Sequence, residues 1–257
     1  MKKEHVREFY DVVWTQYLPE FDASKKHLEI FFKEEEVKDK RILDCGCGTG
    51  IFTNIFSSMG AKNIIGLDIS PGSLETGRAL KRSLELKNID FVEGDMLNLP
   101  YDDEYFDVVW AWGSAHHTEN PMKAIDEIDR VLKQNGQLLL ALYKKTKLTW
   151  IHEIIRKTLL KSPKSCWITI SKMLALFLLP VVKFREIFRK KSRKGEKLEE
   201  LILDWYFVPI RFYYKPEEIK NLLERKGYII EKYLPGSGRF ESASNFIFKA
   251  KKVLGKS

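Results

Sequence analysis

The chain has 257 residues, 44% of them hydrophobic and 31% charged, with three cysteines and a formal net charge of +8. That length can bury a substantial core, and the composition excludes a disordered or fibrous protein. The opening Met1-Lys2-Lys3-Glu4-His5 carries no apolar secretory core, and Cys45 and Cys47 are too close in sequence to staple a fold, so a reducing, cytoplasmic setting is expected.

Residues Glu4 to Lys33 read as one or two helices, because Val6, Phe9, Tyr10, Val13 and Tyr17 recur at three- and four-residue spacing. A charged run over 33–41 then leads into alternating strands and helices. Arg41–Cys45 reads as a short strand, Gly50–Met59 as a helix and Asn63–Ile69 as a second strand. A helix starts at Pro71 and runs to about Lys87, followed by strands at Ile89–Glu93 and Phe106–Trp112. Pro121–Leu132 is a helix that Asn135-Gly136 closes, and Gln137–Tyr143 is a fifth strand.

A long insert follows, expected at 146–205 as part of a single domain with a helical cap at 1–40, a core at 41–145 and a C-terminal part of the sheet at 206–257. From Lys144 to Lys194 fifteen Lys and Arg face two acids, Glu153 and Glu186, a local charge of +13 that leaves −5 for the remainder. The basic charge therefore acts locally. Within the insert Cys166–Val182 is nearly all apolar, with Lys172 its one charge. It is too short for a spanning helix and holds Pro180. Basic residues flank it over 157–194, which suits either an anionic membrane surface or a substrate lid with solvated charges. Beyond it, Pro216–Lys226 reads as a helix, Tyr228–Leu234 as a strand, Pro235-Gly236-Ser237-Gly238 as a turn and Asn245–Lys251 as a strand. Two strands joined without a helix are antiparallel. The fold class is thus α/β and Rossmann-like: a mostly parallel seven-stranded sheet with a C-terminal antiparallel hairpin and a helical insert after the fifth strand.

The chemistry concentrates at strand ends. Asp44-Cys45-Gly46-Cys47-Gly48-Thr49-Gly50 joins the first strand to a helix. Its glycines, at every second position, suit a sharp bend against which a ligand can lie. The spacing is D-x-G-x-G-x-G, not the G-x-G-x-x-G of a dinucleotide site. Asp68 closes the second strand, where an acid can accept from both hydroxyls of a ribose. Asp95, after the third strand, can accept from an adenine amino group, with Met96 against the ring. Three acids at the carboxyl ends of successive strands converge on the crevice where open α/β sheets bind ligands.

The pieces ILDCGCGTG, IIGLDIS, FVEGDMLNLPYDDEYFDVV, the paired His116-His117 and IDRVLKQNGQLLL, spanning Arg41 to Lys145, resemble the class I S-adenosylmethionine-dependent methyltransferases, in particular the ubiquinone and menaquinone C-methyltransferase branch. That resemblance implies S-adenosylmethionine as cofactor. It sets Asp44, Gly46, Gly48 and Gly50 at the methionine portion, Asp68 at the ribose, and Asp95 with Met96 at the adenine, with Ile69 also among the cofactor-binding residues. Ala111, just past the fourth strand, would touch the cofactor through its backbone. Asn135 stands where the family often has glycine, a change that asparagine tolerates.

His116 and His117 are candidates for a general base; otherwise one packs and one is surface-exposed. Adjacent side chains diverge, so no metal site is expected. Tyr10, Trp14 and Tyr17 on the N-terminal helix are lid candidates, and Tyr206 and Tyr213 in DWYFVPIRFYY are candidates to line the substrate pocket. The expected acceptor is a small or lipid-like molecule, with the protein cytoplasmic or peripheral to a membrane. An RNA substrate or a non-catalytic partner role are the alternatives.

Overall fold

The structure is a computed structural model that describes residues 2–13, 20–189, 198–235 and 245–253. It divides into two compact units: Met1–Lys147 with Ile210–Ser257, and Leu148–Pro209. The first unit opens with α1 (Lys2–Val13), α2 (Phe21–Leu28) and α3 (Glu34–Val37). Strands and helices then alternate through β1 (Arg41–Cys45), α4 (Ile51–Ser58), β2 (Asn63–Asp68), α5 (Pro71–Ser83), β3 (Ile89–Glu93), β4 (Phe106–Trp112), α6 (Pro121–Val131) and β5 (Leu132–Tyr143). The second unit holds α7 (Thr149–Leu159), α8 (Trp167–Arg189) and α9 (Leu198–Tyr206). The chain then returns to the first unit for α10 (Pro216–Arg225), β6 (Tyr228–Leu234) and β7 (Asn245–Lys252).

The strands form one seven-stranded sheet in the order β3-β2-β1-β4-β5-β7-β6. β1 to β5 pair in parallel, and β7 runs antiparallel to both β5 and β6. Successive residues of one strand enter cores on opposite faces: Leu43, Leu67, Val109 and Leu138 on one, Ile42, Ile64, Val108 and Leu139 on the other. That is why these strands read as apolar runs rather than alternating patterns. The order reverses between β1 and β4, which opens a crevice at their carboxyl ends.

Two boundaries differ from expectation. α5 stops at Ser83, short of Lys87, although no Gly or Pro marks the stop. Glu85 adopts φ 54° and the Leu86 amide donates back to the Lys81 carbonyl at 3.1 Å, a helix-ending turn in which glutamate takes the place usual for glycine. β5 begins at Leu132, directly after α6. Phe106 pairs with Leu132 and Val108 with Gln137, so Lys133–Gly136 is looped out as a bulge of the strand. Asn135 sits there at φ 62°. Asn135-Gly136 therefore bends a strand rather than closing a helix. Of the expected turn at Pro235–Gly238, only Pro235 falls within the described residues.

In the second unit α9 packs against both α7 and α8, burying Ile202 and Leu203. Arg156, counted among the basic residues of the insert, is buried. Its guanidinium donates to the Val208 carbonyl at 2.8 Å and pairs with Glu153 at 2.8 Å. α8 contains the apolar run and continues through Pro180. Among the described residues no helix is long and apolar enough to cross a membrane.

Candidate functional site

The loop after β1 is held by the end of β2. The Gly46 and Cys47 amides both donate to the Leu67 carbonyl, at 2.7 and 3.0 Å, and the Gly48 amide donates to Asp68 Oδ2 at 2.8 Å. Gly46, Gly48 and Gly50 have φ of 79°, 53° and 69°, a region that side chains disfavour. Two of these glycines also answer a packing demand. A Cβ on Gly46 would lie 2.2 Å from Ser114 Cβ, and one on Gly50 would lie 2.5 Å from Phe91 Cε1. Gly50 thus lets the start of α4 close onto β3. Met96 lies against Gly46, its Cε 3.1 Å from where that Cβ would be, and Ser114 Oγ donates to the Cys45 carbonyl at 2.6 Å.

Asp44 and Asp68 are buried at the carboxyl ends of adjacent strands. Asp44 Oδ2 accepts the Thr53 hydroxyl at 2.6 Å. Burial pushes its carboxyl up to about 7, against the Thr53 hydrogen bond and with help from the nearby Asp68 charge. Burial also raises Asp68, opposed by amides of Ser70, Gly48 and Ile69. Its Oδ1 accepts the Ser70 amide at 2.9 Å. Asp68 therefore holds the glycine loop. The Cys45 and Cys47 thiols are pushed far up by burial, so both stay protonated, unreactive side chains.

Asp95 is half-buried, its Oδ1 accepting the Leu97 amide at 2.9 Å. With Gly94, Glu93 and Ile69 it forms one wall of a cavity of about 330 Å³, and Lys3, Glu4 and Arg7 of α1 form the other. Lys3 Nζ lies 2.6 Å from Asp95 Oδ2, and Arg7 pairs with Glu93 at 3.2 Å. One turn further, Asp11 Oδ1 accepts from the Ser70 hydroxyl at 2.6 Å and the Gly72 amide at 3.0 Å, at the start of α5. This polar latch was missed from sequence, where only the apolar spacing of α1 was read. Its signal is the four-residue spacing of Lys3, Arg7 and Asp11, one face of a helix.

Of the expected cofactor residues, Ile69 and Asp95 line the cavity. Asp44, Asp68 and the glycines sit at the adjoining strand ends. Ala111 corrects the expectation of a position past β4. It is fully buried inside that strand, paired with Leu140, although the pairing of β4 with β1 ends one residue earlier, at Trp110.

The expectation that one histidine would be surface-exposed is also corrected: His116 and His117 are both buried in a short turn after β4. His117 Nδ1 lies 2.8 Å from the Ile210 carbonyl and therefore donates to it. The His116 ring meets Tyr143 at a tilt of 52°, with centroids 4.0 Å apart, and its nitrogens make no well-formed hydrogen bond. Burial first, then His117 and Arg211, push His116 well below its ordinary value, against a weak backbone contact with Ala141. The imidazole is therefore neutral near pH 7. The Arg211 guanidinium lies over Tyr143 at 3.9 Å and Tyr213 at 5.3 Å, and Tyr10 of α1 meets His117 edge-on at 6.0 Å. Tyr10 and Tyr213 thus share one aromatic cluster with the histidines. Tyr206 belongs to the second unit, where its hydroxyl lies 2.7 Å from His152 Nδ1. Trp14 and Tyr17 lie outside the described residues.

Residues 43–140 match a family described as a methyltransferase domain. Residues 43–140 of the core form a methyltransferase domain. Over 104 residues the chain is 36% identical to demethylmenaquinone methyltransferase of Clavibacter sepedonicus, covering 40% of this chain and 41% of that one. It is 26% identical over 235 residues to demethylmenaquinone methyltransferase of Staphylococcus haemolyticus, covering 88% and 87%. The crystal structure of an S-adenosylmethionine-dependent methyltransferase from Mesorhizobium loti shares the fold, with a TM-score of 0.58, 16% identity and coverage of 91% and 100%. In the first matches the chain spans about half the length of its curated relatives. The cofactor of the methyltransferase domain is S-adenosylmethionine, and the residues present fit it. Asp68 keeps lone-pair sites beyond its backbone partners, and Asp95 and Ile69 supply a polar and an apolar wall to a cavity of suitable size. The LNLPYDDEYFD stretch of this domain is tied down by Arg130, which donates to the Leu99 and Tyr101 carbonyls at 2.9 and 2.8 Å and pairs with Asp103 and Glu127.

Proposed function

We propose that this protein transfers a methyl group from S-adenosylmethionine to a small or lipid-like acceptor. The observation that carries the reading is Asp68. It closes β2 beside Ile69, which lines the cavity, and holds the glycine loop through the Gly48 amide; in this reading the carboxylate capacity left by its backbone partners receives the ribose. Asp95 takes the adenine amino group, exchanging it for Lys3. Asp44, beneath the loop, is the counter-charge for the methionine ammonium. Gly46, Gly48 and Met96 complete the bed.

When bound, the cofactor supplies a methyl group already activated on a sulfonium. The protein contributes alignment and exclusion of water. α1 supplies the exclusion by its latch onto β3 and α5. The neutral, buried His116 and the carbonyl-bound His117 shape the acceptor side with Tyr10, Tyr143, Tyr213 and Arg211, and no proton relay runs through them. The aromatic cluster with one cation suits a flat acceptor bearing an acidic hydroxyl. Likeness to demethylmenaquinone methyltransferases supports a lipid-like one.

The test is incubation of the purified protein with methyl-labelled cofactor and cell extract, then partition of the label. Label in the organic phase is the expected result. Label in RNA alone, or none in any fraction while the cofactor still binds, overturns the reading.

A further inference from the structure

α8 wears its apolar side outward. At 100° per residue, Met173, Leu176, Phe177 and Pro180 fall on one face, with Thr169 at its start, opposite the buried Ser171 and Ala175. Met173 is 67% exposed, Leu176 74% and Phe177 81%. A helix on a globular surface normally shows charged and polar residues on that side. Here Thr169 is the one polar residue of the stripe, no charge lies within it, and Lys172 stands at its edge. An exposed apolar patch of this continuity marks an interaction surface.

Charge identifies the occupant. Lys157, Lys161, Lys164 and Lys172 are all exposed in the same unit, and the 144–194 segment carries +13. A second copy of this chain would bring the same positive charge against itself. An anionic lipid surface complements both features: acyl chains accept the apolar stripe and headgroups the lysines. With no described helix able to cross a membrane, the stripe lies along the surface rather than through it.

We propose that the outward face of α8 docks this protein on anionic membranes, with Phe177, Leu176 and Met173 inserted and the lysines of the second unit on the headgroups. The proposal is independent of methyl transfer and would stand if the acceptor proved soluble.

The test is co-flotation of the full chain with vesicles of phosphatidylcholine alone or with one-third phosphatidylglycerol, at low and at about 0.5 M salt. The L176E/F177E variant is compared, with cofactor binding as the control for folding. The expected results are binding to the phosphatidylglycerol vesicles, at least tenfold weaker binding by L176E/F177E, and weakening by salt. Absence of binding to anionic vesicles, or equal binding by L176E/F177E, overturns the proposal. So does a wild-type dimer, seen by light scattering, that L176E/F177E dissolves, because the face would then cover a second copy.

Discussion

Lys3 Nζ and Asp95 Oδ2 stand 2.6 Å apart, joining the first turn of α1 to the end of β3. The carboxylate proposed for the adenine is thus held by the helix that walls the cavity. Arg7–Glu93 repeats the arrangement one turn on. Both pairs are partly exposed, so each contributes at most about 1 kcal/mol. The expected effect of K3A/R7A is kinetic: cofactor association and dissociation both accelerate about two- to tenfold, with little change in Kd. Stopped-flow fluorescence measures this, and unchanged rates would remove α1 as the gate.

Asp68→Ala removes the acceptor for the Gly48 and Ser70 amides together with the ribose partner. Each lost hydrogen bond to a charged group is worth about 1.5–3 kcal/mol, so cofactor affinity is expected to fall at least about tenfold. Calorimetry checks this; an unaltered Kd would refute the assignment.

The raised carboxyl of Asp44 makes both stability and binding depend on pH. The folded protein without cofactor retains a proton up to about 7, whereas the unfolded chain releases it near 3.8. The contribution of this group to stability is therefore full below about pH 4 and lost as pH rises through 7. Asp68 shifts the same way. A cationic ligand beside Asp44 favours the carboxylate, so cofactor binding at pH 6 releases a proton and tightens as pH rises to about 7. Calorimetry in buffers of different ionisation enthalpy reads the release. Asp44→Asn should diminish it and flatten the stability profile in part, leaving the share of Asp68; an undiminished release would place the proton elsewhere.

Gly46→Ala drives a methyl group into Ser114 at a positive φ. Overpacking costs about 1–3 kcal/mol and the left-handed conformation about 1–2 more. The pair G46A/S114G should recover the first part only. Thermal melts of the single and double variants separate the two; full recovery would mean that backbone conformation is irrelevant here.

His116→Asn should lower kcat by less than about tenfold, against the 10²–10⁴ that loss of a general base costs. The rate at saturating cofactor is measured with the acceptor identified by labelling. A larger loss, together with an ionisation seen in the wild-type kcat profile, would make His116 a base after all.

The parts of the fold legible in the sequence were those fixed by local chemistry. Strands buried on both faces read as apolar runs, Pro71 and Pro121 marked helix starts, and the D-x-G-x-G-x-G spacing marked the bend. The parts that failed depend on distant partners. Nothing near Glu85 announces a left-handed residue, and Asn135-Gly136 signals a break without saying whether a helix or a strand is broken. The burial of both histidines depends on Tyr143 and Ile210, remote in sequence. Asp68 was read as a ligand acceptor, but its hold on Gly48 needs β1 and β2 side by side.

The placement of β7 carries a cost during synthesis. The outer edge of β5 is completed by residues 245–251, while its own end is Tyr143, so about a hundred residues must leave the ribosome before that edge is covered. Until then Leu138–Tyr143 offers unpaired amides and carbonyls on an apolar strand, the kind of edge that recruits other chains. Nascent chains halted before Asn245 are therefore expected to need a chaperone or to aggregate, and the sheet closes only when its last-made strand slides between two older neighbours.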